Sequence, residues 1–297
     1  MIPVNLRTPT LVLLLSCAVL GGAPRVAEAA SAVTLPWSTT FNCNEWKQAD
    51  GLYKVDCDDL KGWGAWTCYD RDGTLHEEQI TSAANHAAGG GGKGQRHWKG
   101  YNGTKSTAAS NNSGGMAVEF SSAQPDLWVR WYMRYQTGFN WHNIIEDKII
   151  YFDVLSKQTS VIVAWEGDKS KILAQSAGSR TFRSSTANGW TGTMGGAGSD
   201  GLWHLYEVHL KMNTSGADGM AEMWIDDKQV ISNTGVDWRP NGTKAYLAGW
   251  SYILFGSNSR SPDNNFACAY ADFDDIAISN TGYIGPLNKS TDILNEK

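Results

Sequence analysis

The sequence predicts an all-β protein, and three observations point to this fold class. Several short segments alternate apolar with polar residues, as half-buried strands do. The 297-residue chain contains 32 glycines, which cluster between these segments as turns would require. No segment combines helix caps with an apolar period of 3.6 residues. A chain of this length can bury a sizeable core without metal or disulfide support. We therefore expect two sheets packed around one core.

The first 29 residues are expected to be a secretory signal peptide. Arg7 precedes an apolar run at 11–20, and small residues follow that run. The run is too short for a membrane helix. We therefore predict a secreted or periplasmic protein without a membrane span, with a lipoprotein anchor at Cys17 as the alternative. One domain should occupy residues 30–286, and residues 287–297 should form a tail.

The net charge of the chain indicates which classes of binding partner are expected. Net charge is -5 at pH 7 and the isoelectric point is about 5.7. Because the chain has no overall positive charge, nucleic acid is not an expected partner. Any acidic polymer would have to be held by local cations. The chain is expected to be a monomer.

Four cysteines remain after the signal peptide is removed: Cys43, Cys57, Cys68 and Cys268. An even number in an exported chain suggests two disulfides, for which three connectivities exist. We favour Cys57–Cys68 as a local loop and Cys43–Cys268 as a link between the ends of the domain.

The predicted strands, in chain order, are 33–41, 77–83, 116–120, 127–135, 148–154, 160–166, 202–212, 220–225, 228–232, 246–255 and 268–279. Segment 42–72 is irregular, and 167–200 is polar without a clear period. The glycine-rich segment 88–103 is expected to be a loop. Its Arg96 and His97 suggest the rim of a ligand site, although a mobile basic loop would look the same.

The two central strands carry the most informative pattern. In 127–135, five apolar or aromatic residues at alternate positions should face the core. The other face would carry Trp128, Arg130, Tyr132 and Arg134, a mixture of cations and rings suited to an acidic sugar polymer. The alternative is that arginines and rings on such a face only pack as cation–π pairs and have no other role. Strand 148–154 follows, with Lys148 and Tyr151 predicted on opposite faces.

Three segments together resemble the jelly-roll polysaccharide lyases that cut alginate and glucuronan, within the concanavalin A-like lectin and glucanase superfamily. The segments are Phe139–Trp141 with Asp147–Lys148, Gly201–His204 through Trp224–Asp227, and Phe255–Ser257 with Tyr270 and Phe273–Ile276. The resemblance spans roughly residues 88–286. It implies a single-domain, two-sheet concanavalin A-like jelly roll with one concave face for an extended polysaccharide.

The resemblance also implies β-elimination on a uronate-containing polymer. That reaction needs a cation to neutralise the carboxylate, a base for the α-proton and an acid for the leaving oxygen. We predict Lys148, Tyr132, Arg130 and His142 as the residues near the chemistry. The predicted substrate-binding residues are Arg96, His97, Arg134, Trp128, Tyr151 and Trp250.

The chain departs from the lyases in the following strand. There the lyases carry a Ser and Arg pair with tyrosines after it, whereas residues 161–166 read VIVAWE. A lectin-like module that binds polysaccharide without cleaving it is therefore the alternative. Glycoside hydrolysis is disfavoured, because no paired-carboxylate strand is found. No cofactor is required for elimination. A structural calcium ion is the one metal suggested, through Asp274 and Asp275, against the simpler alternative that one of them bonds a neighbouring loop.

Overall fold

A computed structural model describes residues 32–47, 57–63, 67–69, 75–87, 91–99, 115–139, 146–153, 159–166, 169–176, 179–185, 199–238, 248–256, 259–260 and 269–287. The predicted signal peptide, Cys17, His142 and Cys268 lie outside these residues.

The predicted all-β class is confirmed. The strands are β1 Trp37–Thr39, β2 Trp46–Lys47, β3 Lys61–Trp63, β4 Thr67–Tyr69, β5 Leu75–Glu77, β6 Gln79–Thr81, β7 Gly94–Lys99, β8 Gly115–Gln124, β9 Asp126–Tyr135, β10 Glu146–Asp153, β11 Thr159–Glu166, β12 Lys169–Ser176, β13 Ser179–Ser185, β14 His204–Lys211, β15 Gly219–Ile225, β16 Lys228–Val236, β17 Trp250–Phe255, β18 Ser259–Arg260 and β19 Ala269–Ser279. In the described part, the one helical element is a 3₁₀ turn, Ser82–Ala84. None of it provides a helix of the length and apolarity that crossing a membrane requires.

The strands form two large antiparallel sheets. The nine-stranded sheet has the order β16-β15-β14-β9-β19-β7-β6-β2, and β1 pairs with β19. The eight-stranded sheet has the order β13-β12-β11-β10-β17-β8-β3, and β18 pairs with β10. Strands β4 and β5 form a separate pair. Because sequence neighbours such as β9 and β10 belong to different sheets, the chain crosses repeatedly between the two layers.

The core lies between the two large sheets. Strand β9 contributes the five alternate side chains that the sequence predicted: Leu127, Val129, Trp131, Met133 and Tyr135 are all buried. From the other sheet, Ile150, Phe152 and Trp165 join the same cluster. Burying such side chains is the main favourable term in folding. The outer face of each sheet is therefore left for function.

Six strands occupy segments in which the sequence analysis predicted none: β2, β3 and β4 in 42–72, β7 in 88–103, and β12 and β13 in 167–200. In β7 the inward side chains are polar, since Gln95 and His97 are fully buried. The sequence of β7 therefore shows no apolar–polar alternation, although successive side chains still point to opposite faces of the sheet. This segment is a strand because it pairs with β6 and with β19, which lies far away in the sequence.

The favoured disulfide connectivity is wrong. The bridge that forms in the described part joins Cys43 to Cys57, with Cα atoms 5.3 Å apart. The two cysteines are brought together because the turn at Asp58 is hydrogen-bonded to Thr39, at the end of β1. Cys57 is therefore not available to Cys68, and Cys43 is not available to Cys268.

Residues 281–287, here called the C-terminal strap, lie across the outer face of the nine-stranded sheet. Both oxygens of Glu207 accept backbone hydrogen bonds from the strap, from Ile284 and Gly285, each at 2.8 Å. The Tyr132 hydroxyl accepts a third from Leu287 N at 3.2 Å. Burial raises the pKa of Glu207 although the two amides and Arg130 act to lower it.

The loop after β14 is closed by one buried amide. Asn213 donates from Nδ2 to Gly216 O at 2.5 Å and to Asp237 Oδ1 at 2.7 Å. Its side-chain oxygen accepts from Trp238 N at 3.1 Å. Asn213 is 1% exposed, so this side chain is a structural element of the loop.

Candidate functional site

The candidate site lies on the outer face of the eight-stranded sheet, around Lys148. Strand β10 carries one extra residue, because its register with β11 shifts between Lys148 and Ile150. Ile149 and Ile150 are both buried in the core as a result. The bulge therefore brings Lys148 to the same face as Tyr151, with Nζ 5.6 Å from the centre of the Tyr151 ring. The predicted strict alternation of these two residues is wrong for this reason.

A phenol and a carboxylate lie beside this pair. Asp153 is directly opposite Tyr252 on β17, and the Tyr252 hydroxyl donates to Asp153 Oδ2 at 2.7 Å. Burial, and then the hydrogen bond to Asp153, raise the pKa of Tyr252. The phenol therefore keeps its proton at neutral pH, which suits a hydrogen-bond donor or an acid.

The same row continues to the margin of the sheet. Tyr252 is paired with Glu119 on β8, and Glu119 forms an ion pair with Lys61 at 3.1 Å. Two carboxylates, Asp153 and Glu119, thus lie on either side of Tyr252, and Lys61 is paired with the second of them.

A second cation lies two strands from Lys148. Ala164 on β11 is paired with both Lys148 and Lys171. Two strand spacings separate the backbones of the two lysines by about 10 Å. Lys171 is fully buried, and its neighbour Ile172 belongs to the core, which assigns Lys171 to the outer side of β12.

An apolar floor separates these polar groups. Ile162 and Ala164 are buried on the outer side of β11, and Tyr151 packs against them. A face that combines cations, phenols and a small apolar floor can hold an acidic sugar through ion pairs, hydrogen bonds and ring contacts.

Five predicted site residues lie on the opposite side of the molecule. They are Trp128, Arg130, Tyr132 and Arg134 of β9, and Arg96 of β7. Both strands belong to the nine-stranded sheet, whereas Lys148 belongs to the eight-stranded sheet. The structure therefore does not gather the predicted residues into one cleft, because the core separates the two groups.

Two of these three arginines, Arg96 and Arg134, share one carboxylate partner. Arg96 donates from Nε and Nη2 to the two oxygens of the buried Asp272, at 2.7 and 2.9 Å, and Arg134 Nε donates to the same carboxylate at 2.9 Å. Arg96 also lies 3.7 Å from the centre of the Tyr270 ring, and Arg134 lies 4.9 Å from that of Trp203. Arg134 therefore forms the cation–π contact of the simpler alternative, in addition to its ion pair with Asp272.

The other two outer residues are packed against histidines. The ring of Tyr132 stacks on His86 at 4.1 Å, and burial raises the pKa of its hydroxyl. Trp128 stacks on His209 at 3.9 Å. Neither side chain is near Lys148, so the predicted partnership of Tyr132 with Lys148 is not found.

Two predicted binding residues are buried and cannot meet a polymer. His97 is fully buried, with Nδ1 2.6 Å from Glu78 Oε2. Trp250 is 1% exposed and meets Phe152 and Trp238 edge to face in the core.

The two aspartates proposed for calcium are bonded to His86. Asp274 Oδ2 accepts from His86 N at 2.7 Å, and Asp275 Oδ2 lies 2.5 Å from His86 Nδ1. Burial, and then the charge of Asp275, raise the pKa of Asp274 to about 8. Among the residues the structure describes, no three His, Cys, Asp or Glu side chains are placed to hold a metal ion. The calcium site stays a prediction.

Sequence reasoning missed Tyr252, Asp153 and Lys171. Tyr252 was within a predicted strand, but a register shift between Trp250 and Tyr252 changes which residues face outward. Lys171 fell in a segment without a clear period. Its position follows from pairing with β11, a signal that the local sequence does not carry.

Comparison with known proteins agrees with the fold. No protein-family model and no curated protein matches the chain. Among solved structures, the chain is similar to a mutant of alginate lyase Aly36B in complex with alginate tetrasaccharide. In that mutant a lysine and a tyrosine are replaced by alanine. The TM-score is 0.50 at 13% identity, over 86% of this chain and 100% of that one.

The chain is also similar to an endo-β-1,4-glucuronan lyase from the fungus Trichoderma reesei. The TM-score is 0.51 at 11% identity, over 74% of this chain and 91% of that one. At these identities the likeness shows the fold alone. The resemblance to jelly-roll polysaccharide lyases predicted from the sequence is confirmed at that level.

Proposed function

We propose that the protein is a secreted polysaccharide lyase that cleaves a uronate-containing polymer by β-elimination on the outer face of the eight-stranded sheet. The observation that carries the proposal is the Lys148–Tyr151 pair beside Tyr252. The solved alginate lyase with lysine and tyrosine replaced, bound to its tetrasaccharide, supports a lysine and a tyrosine as the pair to test.

The three requirements of the reaction can be met on this face. Lys148 neutralises the uronate carboxylate and thereby makes the α-proton easier to remove. The Tyr151 oxygen is the base that takes up that proton, and the electron pair forms the new C=C bond as the glycosidic C–O bond breaks. Tyr252, which keeps its proton, protonates the departing oxygen. In the free protein this proton is donated to Asp153, so the hydroxyl turns from Asp153 to the departing oxygen during the reaction.

The disulfide supports the secreted part of the proposal. The Cys43–Cys57 bridge is of the kind that persists in oxidising compartments. The substrate is expected to be acidic because Lys148 is the cation beside Tyr151 on this face.

The test is an ultraviolet assay with the mature protein and a panel of uronate polymers, including alginate and glucuronan. The conjugated C=C bond of the product absorbs where the substrate does not, so absorbance should rise with time. Lys148→Ala should abolish the rise with an unchanged circular dichroism spectrum. The matched control is Lys228→Ala, an exposed lysine of β16 in the other sheet, which should behave as wild type.

An absence of any rise across the panel would contradict the lyase proposal. Unchanged turnover by Lys148→Ala would also contradict it.

Polysaccharide binding without cleavage is the second candidate. It is favoured by the position of Arg96 and Arg134, which are held by Asp272 on the other sheet and therefore cannot clamp a carboxylate beside Lys148. Affinity electrophoresis would then show retardation by the polymer, with no absorbance rise and no new reducing ends.

A further inference from the structure

A second concave site lies on the outer side of the nine-stranded sheet, on the far side of the core from Lys148. It is a cleft of about 490 Å³ between β1, β19 and the C-terminal strap. Arg130, Trp37 and Tyr283 line it, together with hydroxyl side chains of Ser38, Ser279 and Thr281. Its volume falls in the range of small-molecule pockets, which is about 300–1,000 Å³.

The cation of this cleft is held in a fixed position. Arg130 is 7% exposed, and it donates from Nη1 to Gly285 O at 3.2 Å and from Nη2 to Asp275 O at 3.4 Å. Its cross-strand neighbour Glu207 accepts the two strap amides, which fixes the strap over the sheet. A guanidinium held by the backbone is arranged in advance for a planar carboxylate.

The two rings of the cleft are also anchored at their polar ends. Trp37 Nε1 donates to Asp58 O at 3.2 Å, and the Tyr283 hydroxyl donates to Asp227 Oδ1 at 2.9 Å. Tyr283 is 47% exposed, which is unusual for a large ring. Aromatic side chains with a solvent-exposed polar edge and an accessible ring face are suited to contact with the apolar face of a sugar ring.

Hydroxyl groups supply the remaining contacts. Ser279 Oγ and Thr281 Oγ1 lie 3.0 Å apart and can each donate or accept. A guanidinium, two rings and a set of hydroxyls in one cleft match the groups of a uronic acid: one carboxylate, one apolar ring face and several hydroxyls.

We propose that this cleft binds a single uronic acid residue, with Arg130 on the carboxylate and the Tyr283 and Trp37 rings beside the pyranose. It would hold one residue of an acidic polysaccharide on the side of the molecule opposite to the face around Lys148. The inference does not depend on cleavage at Lys148, since the two sites share no residue.

The experiment is isothermal titration of the mature protein with D-glucuronate, with D-glucose as the neutral comparison. We expect saturable binding of glucuronate and at least tenfold weaker binding of glucose. Tyr283→Ala should weaken glucuronate binding about tenfold, whereas Tyr283→Phe, which keeps the ring, should weaken it much less. Lys211→Ala, which removes an exposed cation of β14 that does not line the cleft, should leave it unchanged.

Arg130 also holds the strap, so its replacement is paired with a check of thermal unfolding. Arg130→Gln should lose the preference for glucuronate over glucose while unfolding cooperatively. If Arg130→Gln does not fold, the Tyr283 pair of variants decides the proposal. Three results would overturn it: no saturable binding, equal affinity for glucose and glucuronate, or unchanged glucuronate binding in Tyr283→Ala. The ultraviolet assay is independent, so either proposal can fail alone.

Discussion

Asp274 illustrates how a single buried carboxyl group can set a pH dependence. Its pKa is raised to about 8, mainly by burial and then by the charge of Asp275. In the unfolded chain the same group titrates near 3.8. Between these values the folded state holds a proton that the unfolded state has lost. The free energy of unfolding should therefore fall as pH rises from about 4 to about 8.

The first prediction concerns Asp274→Asn. The amide is neutral at every pH, but it has one oxygen where Asp274 uses two to accept from His86 N and Asp275 N, so one of these backbone amides loses its acceptor. That loss is the same at every pH, so the stability of the variant relative to wild type should rise by on the order of 2 kcal/mol between pH 4 and pH 8. Urea denaturation at both pH values measures this. Parallel pH profiles for the two proteins would contradict it.

The second prediction concerns Tyr252, which the proposed reaction uses as the acid. Tyr252→Phe removes the hydroxyl and keeps the ring in place between β10 and β8. We expect kcat to fall about a hundredfold, the scale of one lost proton-transfer group, with KM changed much less. Steady-state kinetics on the best polymer of the panel measures both constants. A similar rise in KM with kcat unchanged would assign Tyr252 to binding.

At the scale of elements, the strand β9 was the most predictable part of the chain. Its alternation is unbroken over ten residues, so every inward side chain was identified from the sequence. Strands β10, β17 and β19 each contain a register shift. An extra residue reverses the face of everything beyond it, and only the partner strand determines where that residue is placed. The outward position of Tyr252 could therefore not be predicted.

The third prediction concerns the attachment of the C-terminal strap. Glu207→Ala removes the acceptor of two strap amides, those of Ile284 and Gly285. Leaving two amides without this partner should cost about 2–4 kcal/mol of folding stability if the strap stays in place, and less if it detaches. Hydrogen exchange separates these outcomes, because detachment speeds exchange at Ile284 and Gly285. Slow exchange together with unchanged stability would contradict the role of Glu207.

At the scale of the whole molecule, two outward faces share one core. The sequence supplied the fold class and many of the strands, because apolar alternation is local. It could not assign Lys148 and Arg130 to opposite sides, because that depends on β9 and β10 joining different sheets. The resemblance to lyases predicted the fold. Which residues form the candidate site depends on which strands pair with one another, and this is seen only in the structure.

The fourth prediction follows from this shared core. Trp131 is fully buried between the sheets, in contact with Tyr206, and far from either outer face. Trp131→Ala should destabilise the fold by about 3–5 kcal/mol. Activity at Lys148 and glucuronate binding at Arg130 should then be lost together, at the same temperature, in a single unfolding transition. Two separate transitions would show that the sheets unfold independently.

The amide that closes the loop after β14 has a consequence for producing the protein. Asn213-Thr214-Ser215 is a sequon for N-glycosylation, and Nδ2, the atom that would carry the glycan, is already engaged with Gly216 and Asp237. A eukaryotic secretory host that attached a sugar there before folding would prevent this loop from closing. Bacterial expression avoids the modification, and mass spectrometry of yeast-secreted, folded protein should find Asn213 bare.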